Sequence, residues 1–469
     1  MTMRELVSVL DAHTVMHGNI DAEVTNIQFD SRRVTEGTLF VAQQGTQTDG
    51  RQYIPQALAG GAVGAIEDND NRALGLLASR FYGEPSKKLK LVGVTGTNGK
   101  TTIATLLWKL TRAMGYKAGL LSTVVNQIDD KAVPATHTTP DALELNRLLS
   151  EMVGAGCEYA FMEVSSHAIA QERIAGLDFD GALFTNLTRD HLDYHKTFDN
   201  YRDTKKRLFD GLKKEAFAVT NKDDKNGLVM TQNCKASVKT YSTRTMADYK
   251  AKILEEGFEG MQLLFDGQEV FVPLVGRFNV SNLLCIYGAA LGLGFEKMEV
   301  LRILSTLTAV NGRFEAIRSP KGWTAIVDYA HTPDAVENVL STIHDIVDNQ
   351  RERGQVITVV GCGGNRDKGK RPLMAQIAVR MSELVILTSD NPRDEEPADI
   401  LKDMVAGVAE ADMSRVLVIE ERESAIKTAC TIAKKNDVIL VAGKGHEDYQ
   451  IIKGVKLHFD DHEIVRRCL

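Results

Sequence analysis

The sequence predicts an α/β protein of three domains: an N-terminal α/β domain, a central phosphate-loop domain on a parallel sheet, and a C-terminal Rossmann-like domain. Three observations carry that expectation. The chain has 469 residues, and at roughly 100 to 200 residues per domain it divides into about three. Beyond residue 88, short apolar runs alternate with stretches of helical periodicity, the pattern of a parallel sheet covered by helices. Between one such run and one such helix lies a glycine-rich turn at 94–102.

Taken in order, the first block spans residues 1–88. Its opening, MTMRELVSVLDAHTV, lacks an apolar core and a small-residue cleavage site, so it reads as the first helix of a domain and not as a signal peptide. A strand at 38–42 and a helix at 55–60 follow, and the block ends in the polar stretch 83–90. The second block, 89–313, opens with a buried strand at 89–94 and a helix at 101–114. Strands at 159–164 and 181–185 come next. Residues 253–274 alternate apolar and polar, as an edge excursion of the sheet would, and a helix is expected at 280–293. The third block, 314–469, has strands at 325–328, 356–361, 384–388, 416–419 and 437–442, with helical patterns between most of them.

Composition narrows the function classes. Hydrophobic residues make up 43% and charged residues 25% of the chain, an ordinary globular balance. The net charge of -7 gives no whole-chain basic field, so nucleic acid is not an expected partner. No apolar run reaches the roughly 18 residues of a spanning helix. The six cysteines are scattered without a CxxC pair, the usage of reduced thiols in a cytoplasmic protein.

The turn Val94-Thr95-Gly96-Thr97-Asn98-Gly99-Lys100-Thr101-Thr102 carries the first chemistry. Glycines allow a tight turn that points backbone N–H groups at phosphate oxygens, and the following helix start adds positive potential. Lys100 is placed to reach the β and γ phosphates, and the Thr101 hydroxyl to ligate Mg2+. The loop is shorter than G-x-x-x-x-G-K-[ST], because Gly96 stands only three residues before Gly99. A dinucleotide site would need G-x-G-x-x-G spacing, which is absent.

Gly96 to Thr102 resembles the nucleotide loop of the Mur ligases and of their relatives, the folylpolyglutamate synthases. Members of this family make an amide from a carboxylate by way of an acyl phosphate. Such a site needs cations and Mg2+ around the transferred phosphoryl group, and hard oxygen donors at strand ends. The resemblance implies ATP contacts from Gly96, Thr97, Asn98, Gly99, Lys100, Thr101 and Thr102. Phe161-Met162-Glu163-Val164-Ser165-Ser166-His167 and Asn186-Leu187-Thr188-Arg189-Asp190-His191 also resemble family motifs, implying Glu163 and His191 as metal ligands beside Thr101. Tyr201-Arg202-Asp203-Thr204-Lys205-Lys206-Arg207-Leu208-Phe209 resembles the stretch in which the family carries a carbamylated lysine, mapping to Lys205. Without the resemblance, Lys205 and Lys206 are equivalent helix lysines. For Asn279 and Asn282 two roles stand open, helix capping or pairing with a purine edge; the resemblance implies the second. It also implies that Arg313 contacts ATP phosphate from a hinge and that Asp328 faces the ribose, with helix capping as the alternative for Asp328. Lys100, Glu163, His191, Lys205 and Arg313 are thus the expected catalytic set.

The N-terminal block narrows the branch. Asp30-Ser31-Arg32, the stretch 37–42 and Asp49-Gly50 resemble a nucleotide-sugar domain that folylpolyglutamate synthases lack. This implies UDP contacts from Ser31, Thr46, Gln47 and Thr48, Thr46 standing where the family often has His. Thr138, Thr139, Ser165, Gln171 and Arg173 match contacts to a muramoyl dipeptide. Asp390-Asn391-Pro392-Arg393 resembles the motif of members that add meso-diaminopimelate, whose far carboxylate suits a bidentate guanidinium. Arg366, Gly443 and Glu447 complete that implied set. The expected activity is therefore ATP- and Mg2+-dependent addition of meso-diaminopimelate to UDP-N-acetylmuramoyl-L-alanyl-D-glutamate in the cytoplasm, by a monomer acting on small molecules. The alternatives are the same ligase using L-lysine, ornithine or lanthionine, and a nucleotide-binding homologue without catalysis.

Overall fold

The computed structural model describes residues 1–45, 48–135, 137–350 and 352–469. Three sheets follow one another along the chain. The first has four strands; Met16–Gly18 runs antiparallel to Ala62–Asp68, which pairs in parallel with Thr38–Gln43, and that strand with Asn26–Gln28. Met3, Leu6, Leu39, Ile66, Leu74 and Leu77 pack on one of its faces, and Phe40, Ala57 and Ala65 on the other. The opening helix, Met3–Val7, starts at Thr2, whose hydroxyl and the Glu5 carboxylate form a reciprocal capping box.

The central sheet has eleven strands and is mixed, not purely parallel. Its middle is parallel: Lys90–Thr95 lies between Tyr159–Glu163 and Gly181–Phe184, flanked by Ala118–Leu121 and Phe217–Asn221. Antiparallel strands extend both margins. The alternating stretch 253–274 forms the antiparallel strands Tyr249–Gly257, Gly260–Phe265 and Gln268–Val272 at one edge. Val125–Ile128 and Lys131–Pro134, too short and polar for the sequence to declare, form the other. Helix Lys100–Ala113 buries Ile103, Leu106, Leu107 and Leu110, an i, i+3, i+4, i+7 stripe against the sheet. Truncating one such leucine to alanine costs about 2–5 kcal/mol. The helix ends beside Gly115, which takes the left-handed φ of 90°.

The third sheet has six strands, with Glu315–Arg318 antiparallel at one edge. Thr324–Asp328, Val438–Ala442, Val356–Cys362, Leu384–Ser389 and Val416–Val418 are parallel neighbours in that order. Helices bury apolar side chains on both faces. A two-stranded hairpin, Tyr449–Ile452 with Val455–His458, follows the last strand. Among the described residues all six cysteines are free thiols, and no helix is long and apolar enough to cross a membrane.

Candidate active site

The strand ends of the central and third sheets face a common cleft of about 420 Å³, the place where open α/β sheets hold ligands. The central domain contributes Thr97, Asn98, Gly99, Lys100, Thr101, Thr138, Glu163 and His191. The third contributes Arg366, Asp390, Asn391, Arg393, Gly443 and Glu447, and Arg313 reaches in from between them. Residues as far as 350 positions apart in sequence, Thr97 and Glu447, thus share one space.

The phosphate loop is fixed from below. Thr97 N–H donates to Asn186 O at 2.8 Å and Asn98 N–H to Asn186 Oδ1 at 2.9 Å. A Cβ at Gly96 would lie 1.9 Å from Thr185 Oγ1, and one at Gly99 2.6 Å from Asn282 Oδ1, and both glycines have positive φ. No other residue fits either position. The Lys100 ammonium folds back on the loop carbonyls Gly96 O (2.9 Å) and Thr97 O (2.8 Å), and burial lowers its pKa. Arg313 Nη2 donates to Thr101 Oγ1 at 3.1 Å, its guanidinium lies 4.6 Å from the Tyr329 ring centre, and its buried Nε has no partner.

The donors suit a metal that takes few protein ligands. Glu163 is buried at the end of its strand yet lines the cleft, with Oε1 accepting from Thr123 N–H at 2.8 Å. Burial lowers the His191 pKa to about 4, leaving a neutral imidazole able to ligate. Among the described residues no three His, Cys, Asp or Glu side chains cluster as a ready-made metal cage. Mg2+ needs no such cage, because it takes one or two protein oxygens and completes its shell with phosphate and water. Lys205 does not line the cleft. It is buried beneath the loop, donating to Gly96 O at 2.9 Å, and burial, with Lys100 nearby, holds its pKa well below the usual lysine range. An amine with a depressed pKa gives up its proton more readily, and the free base is the form that can take up CO2.

A smaller pocket of about 160 Å³ opens behind the loop, lined by Thr102, Phe278, Asn282, Asp328, Asn338 and Val339 among others. Neither asparagine caps the helix Arg277–Gly292: Asn279 Nδ2 donates to Val275 O, and Asn282 Nδ2 to Asn279 Oδ1. The helix-capping alternative for Asp328 also falls. Its carboxylate accepts the N–H groups of Phe314 and Ala330, both at 2.7 Å, while Thr332 caps the next helix, Pro333–Val347.

The third-domain wall is built differently. Arg393, at a left-handed φ of 54°, donates to Gly364 O at 2.8 Å, and Arg366 to Asn365 O at 3.1 Å. Neither guanidinium has a carboxylate partner among the described residues, so both keep donors for a ligand. Asn391 Nδ2 donates to Glu447 Oε2 at 2.7 Å. Pro392 carries the chain between Asn391 and Arg393 without lining the cleft. Farther along the central domain, Thr139, Ser165, Gln171 and Arg173 form one network: Thr139 Oγ1 donates to Ser165 Oγ, and Arg173 donates to Thr139 O and Gln171 Oε1. Thr138 Oγ1 accepts from Thr123 at 3.1 Å. Ser31 lies outside the cleft, its hydroxyl donating to Gln56 at 3.2 Å, and Thr48 is exposed nearby in sequence. Thr46 and Gln47 lie outside the described residues.

The cleft also holds groups to which the sequence gave no role. His331, Asp190 and His167 line it; Asp190 and His167 lie within the stretches 186–191 and 161–167, and His331 stands three residues after Asp328, so proximity to those positions was the available signal. Burial lowers His331 to about 4. Lys370, whose ammonium donates to His331 O at 2.9 Å, had no signal within its lysine-rich surroundings.

A glycine turn at a helix start, strand-end oxygen donors and an arginine-bearing wall on a second α/β domain define a phosphate-loop enzyme that joins two substrates across a cleft. Family models agree on the class. The Mur ligase family catalytic domain matches residues 23–82, the Mur ligase middle domain 94–290, and the Mur ligase glutamate ligase domain 312–445. The UDP-N-acetylmuramoyl-L-alanyl-D-glutamate--2,6-diaminopimelate ligase of Parabacteroides distasonis is 61% identical over 99% of this chain and 98% of its own. The protein of the same name from Geobacillus kaustophilus is 41% identical over 100% and 99%. A solved structure under that name is 34% identical, with a TM-score of 0.69 over 100% of this chain and 98% of the other. The folylpolyglutamate synthase of Mycobacterium tuberculosis shares the fold, with a TM-score of 0.64 and 16% identity over 81% of this chain. This chain belongs to the Mur ligase family.

Proposed function

We propose that this enzyme, an acid–amino-acid ligase, adds meso-diaminopimelate to UDP-N-acetylmuramoyl-L-alanyl-D-glutamate, with ATP and Mg2+, in peptidoglycan precursor synthesis. One observation supports it above the others: a single cleft is lined by Lys100 of the phosphate loop and Arg393 of the Asp390–Arg393 stretch. The domains are 1–88 for the UDP-sugar, 89–313 for ATP and 314–469 for the amino acid. The protein works in the cytoplasm as a monomer.

ATP sits with its phosphates on residues 96–102 and its base in the pocket lined by Asn282, whose amide Asn279 orients from outside that lining, the ribose toward Asp328. The D-glutamate γ-carboxylate attacks the γ-phosphorus, ADP leaves, and an acyl phosphate results. Lys100 and Arg313 bind the developing phosphate charge, and they do so in a partly dry site where such charges act strongly. Thr101, Glu163, His191 and carbamylated Lys205 would hold Mg2+, which supplies further charge neutralisation. Thr138, Thr139, Ser165, Gln171 and Arg173 orient the dipeptide, while Ser31, Thr46, Gln47 and Thr48 hold the UDP end. The amine of diaminopimelate attacks the acyl carbon, the C–N bond forms, the amine proton is lost and phosphate departs. Arg366 and Arg393 grip the incoming carboxylates, and Asp390, Asn391, Gly443 and Glu447 receive the far ammonium, with Pro392 shaping the turn. A wrong amino acid leaves this polar wall unpaired, which gives strong rejection.

The test is phosphate release from ATP with the UDP-muramoyl dipeptide, run in parallel with meso-diaminopimelate, L-lysine, L-ornithine and lanthionine. Release with diaminopimelate alone, with the matching mass gain, is expected. Release with lysine instead discards the role given to Arg393, and ATP binding without release in any tube discards catalysis.

A further inference from the structure

Behind the amino-acid wall lies a cation that the reading above does not use. The Lys444 side chain is fully buried and does not line the cleft. Its ammonium lies 3.4 Å from Asp390 Oδ1 and 3.6 Å from Glu447 Oε2. It donates to Asn391 Oδ1 at 3.2 Å and to Tyr449 O at 2.5 Å. Those partners come from three separate pieces of chain: the turn after strand Leu384–Ser389, the turn after Val438–Ala442, and the hairpin strand Tyr449–Ile452. A buried charge with partners this specific costs too much desolvation to be incidental.

We propose that Lys444 is the positioning residue of the amino-acid site, setting both its charge and its alignment. Two carboxylates, Asp390 and Glu447, face the cleft from one wall. With the lysine behind them the three groups sum to a single negative charge, matched to one far ammonium. Without it, two neighbouring carboxylates repel, and one takes up a proton. Glu447 is the one that yields, because burial and the Asp390 charge already raise its pKa. The surrounding charges do not replace the lysine. Arg422 is committed to Asp461 at 2.7 Å in a fully buried pair and donates to Ala442 O, and Arg393 donates to Gly364 O. Tyr329 and Tyr449 are held neutral, both raised by burial. Asn391 would also lose its orienting donor: its Oδ1 takes Lys444 and Ile451 N–H, which leaves Nδ2 aimed at Glu447.

The proposal rests on this wall receiving an amino acid with a far ammonium, which both diaminopimelate and lysine carry. The experiment compares full-length wild type, Lys444→Met and Lys444→Met/Asp390→Asn by steady-state phosphate release and thermal melting. Lys444→Met is expected to raise KM for the amino acid roughly 10- to 100-fold near pH 7, the range for losing a charge-assisted partner. Its KM for ATP stays at the wild-type value. Its amino-acid KM improves as pH rises toward 9, because Glu447 regains its charge, while the wild type shows no such recovery. The double variant, which removes the cation with one carboxylate, binds the amino acid better than Lys444→Met. An unchanged amino-acid KM overturns the proposal. So does a parallel rise in both KM values without a pH effect, which a structural lysine would give. If Lys444→Met does not fold, the double variant is compared with Asp390→Asn alone, in which Lys444 and Glu447 sum to no net charge: a lower amino-acid KM in the double variant supports the proposal, and an equal or higher one, or a double variant that does not fold, overturns it. Activity of the wild type with lysine alone overturns the diaminopimelate assignment while leaving this test intact with lysine as substrate. A wild type silent with every amino acid overturns the function and this proposal together.

Discussion

The two walls of the cleft are made in opposite ways. On the central side each charged group is tied to nearby protein: Lys100 bonds the carbonyls of its own loop, Arg313 bonds Thr101 through Nη2, and Glu163 accepts from Thr123. On the third-domain side the guanidinium groups of Arg366 and Arg393 hydrogen-bond, among the described residues, only to backbone carbonyls, and the compensating charge, Lys444, is hidden behind. A wall that grips phosphates is best held rigid and preorganised. A wall that chooses between amino acids gains from donors left waiting, because a wrong substrate then leaves them unpaired.

That contrast makes the central wall the place of largest loss. Lys100→Ala and Glu163→Ala are each expected to lower turnover by about 10³-fold, the upper range for removing one preorganised charge partner. Phosphate release measures it, and circular dichroism shows that the chain still folds. Near-normal turnover in either would mean that the central wall does not carry the chemistry.

On the opposite wall, Arg393→Ala should act on selection. Its kcat/KM for diaminopimelate is expected to fall roughly 10- to 100-fold, on the scale of a bidentate charge-assisted pair, while KM for ATP holds. The preference for diaminopimelate over L-lysine narrows by the same factor. Equal losses for both amino acids would show that Arg393 supports the loop and does not read the substrate.

The same division decided what the sequence could reveal. The phosphate loop is contiguous, and strand, glycine turn and helix stand next to each other in the chain, so local rules suffice. The third-domain wall is assembled from stretches near 361–369, 390–393 and 443–447 that meet only when the sheet forms; no local pattern joins them, and the resemblance alone did. Lys205 is the instructive intermediate case. Sequence reasoning left it equal to Lys206, yet the helix Phe198–Asp210 buries Tyr201, Lys205, Leu208 and Phe209 on one face, while Lys206 pairs with Asp210. An i, i+4, i+7, i+8 stripe that includes a lysine was readable, and it singles out the buried amine. The polar strands 125–128 and 131–134 had no such signal, because edge strands this short bury too little to impose a pattern.

Acid should weaken the fold through two buried histidines, His331 in the cleft and His446, whose ring packs on the cleft residue Tyr329. Burial lowers His331 to about 4 and His446 to about 3, against about 6.5 in an unfolded chain. The folded values are depressed, so the unfolded state binds more protons between them. The stabilisation is complete above about pH 6.5 and is lost progressively toward pH 4. Melting temperature is therefore expected to fall across that window, and His446→Gln should flatten the fall. A wild-type melting temperature constant from pH 7 to 4.5 would show that these rings are not held neutral.

The smallest expected effect sits where the walls meet. Asp334, in the first turn of helix Pro333–Val347, accepts from Asn98 Nδ2 of the phosphate loop at 3.0 Å and from Asn338 at 3.3 Å. It joins the rigid wall to the selecting one and lines neither the cleft nor the smaller pocket. Asp334→Ala removes about one net hydrogen bond between the domains, on the order of 1 kcal/mol, and a cleft of this kind works by closing its domains on ligands. The variant should keep its chemistry and lose some of its closure. A modest rise in KM for ATP and a larger radius by small-angle scattering without ligands are the expected outcomes, with both recovering when ATP and dipeptide are saturating. Scattering profiles that superimpose with and without ligands, in wild type and variant alike, would mean that the two walls are one rigid body and that Asp334 merely packs between them.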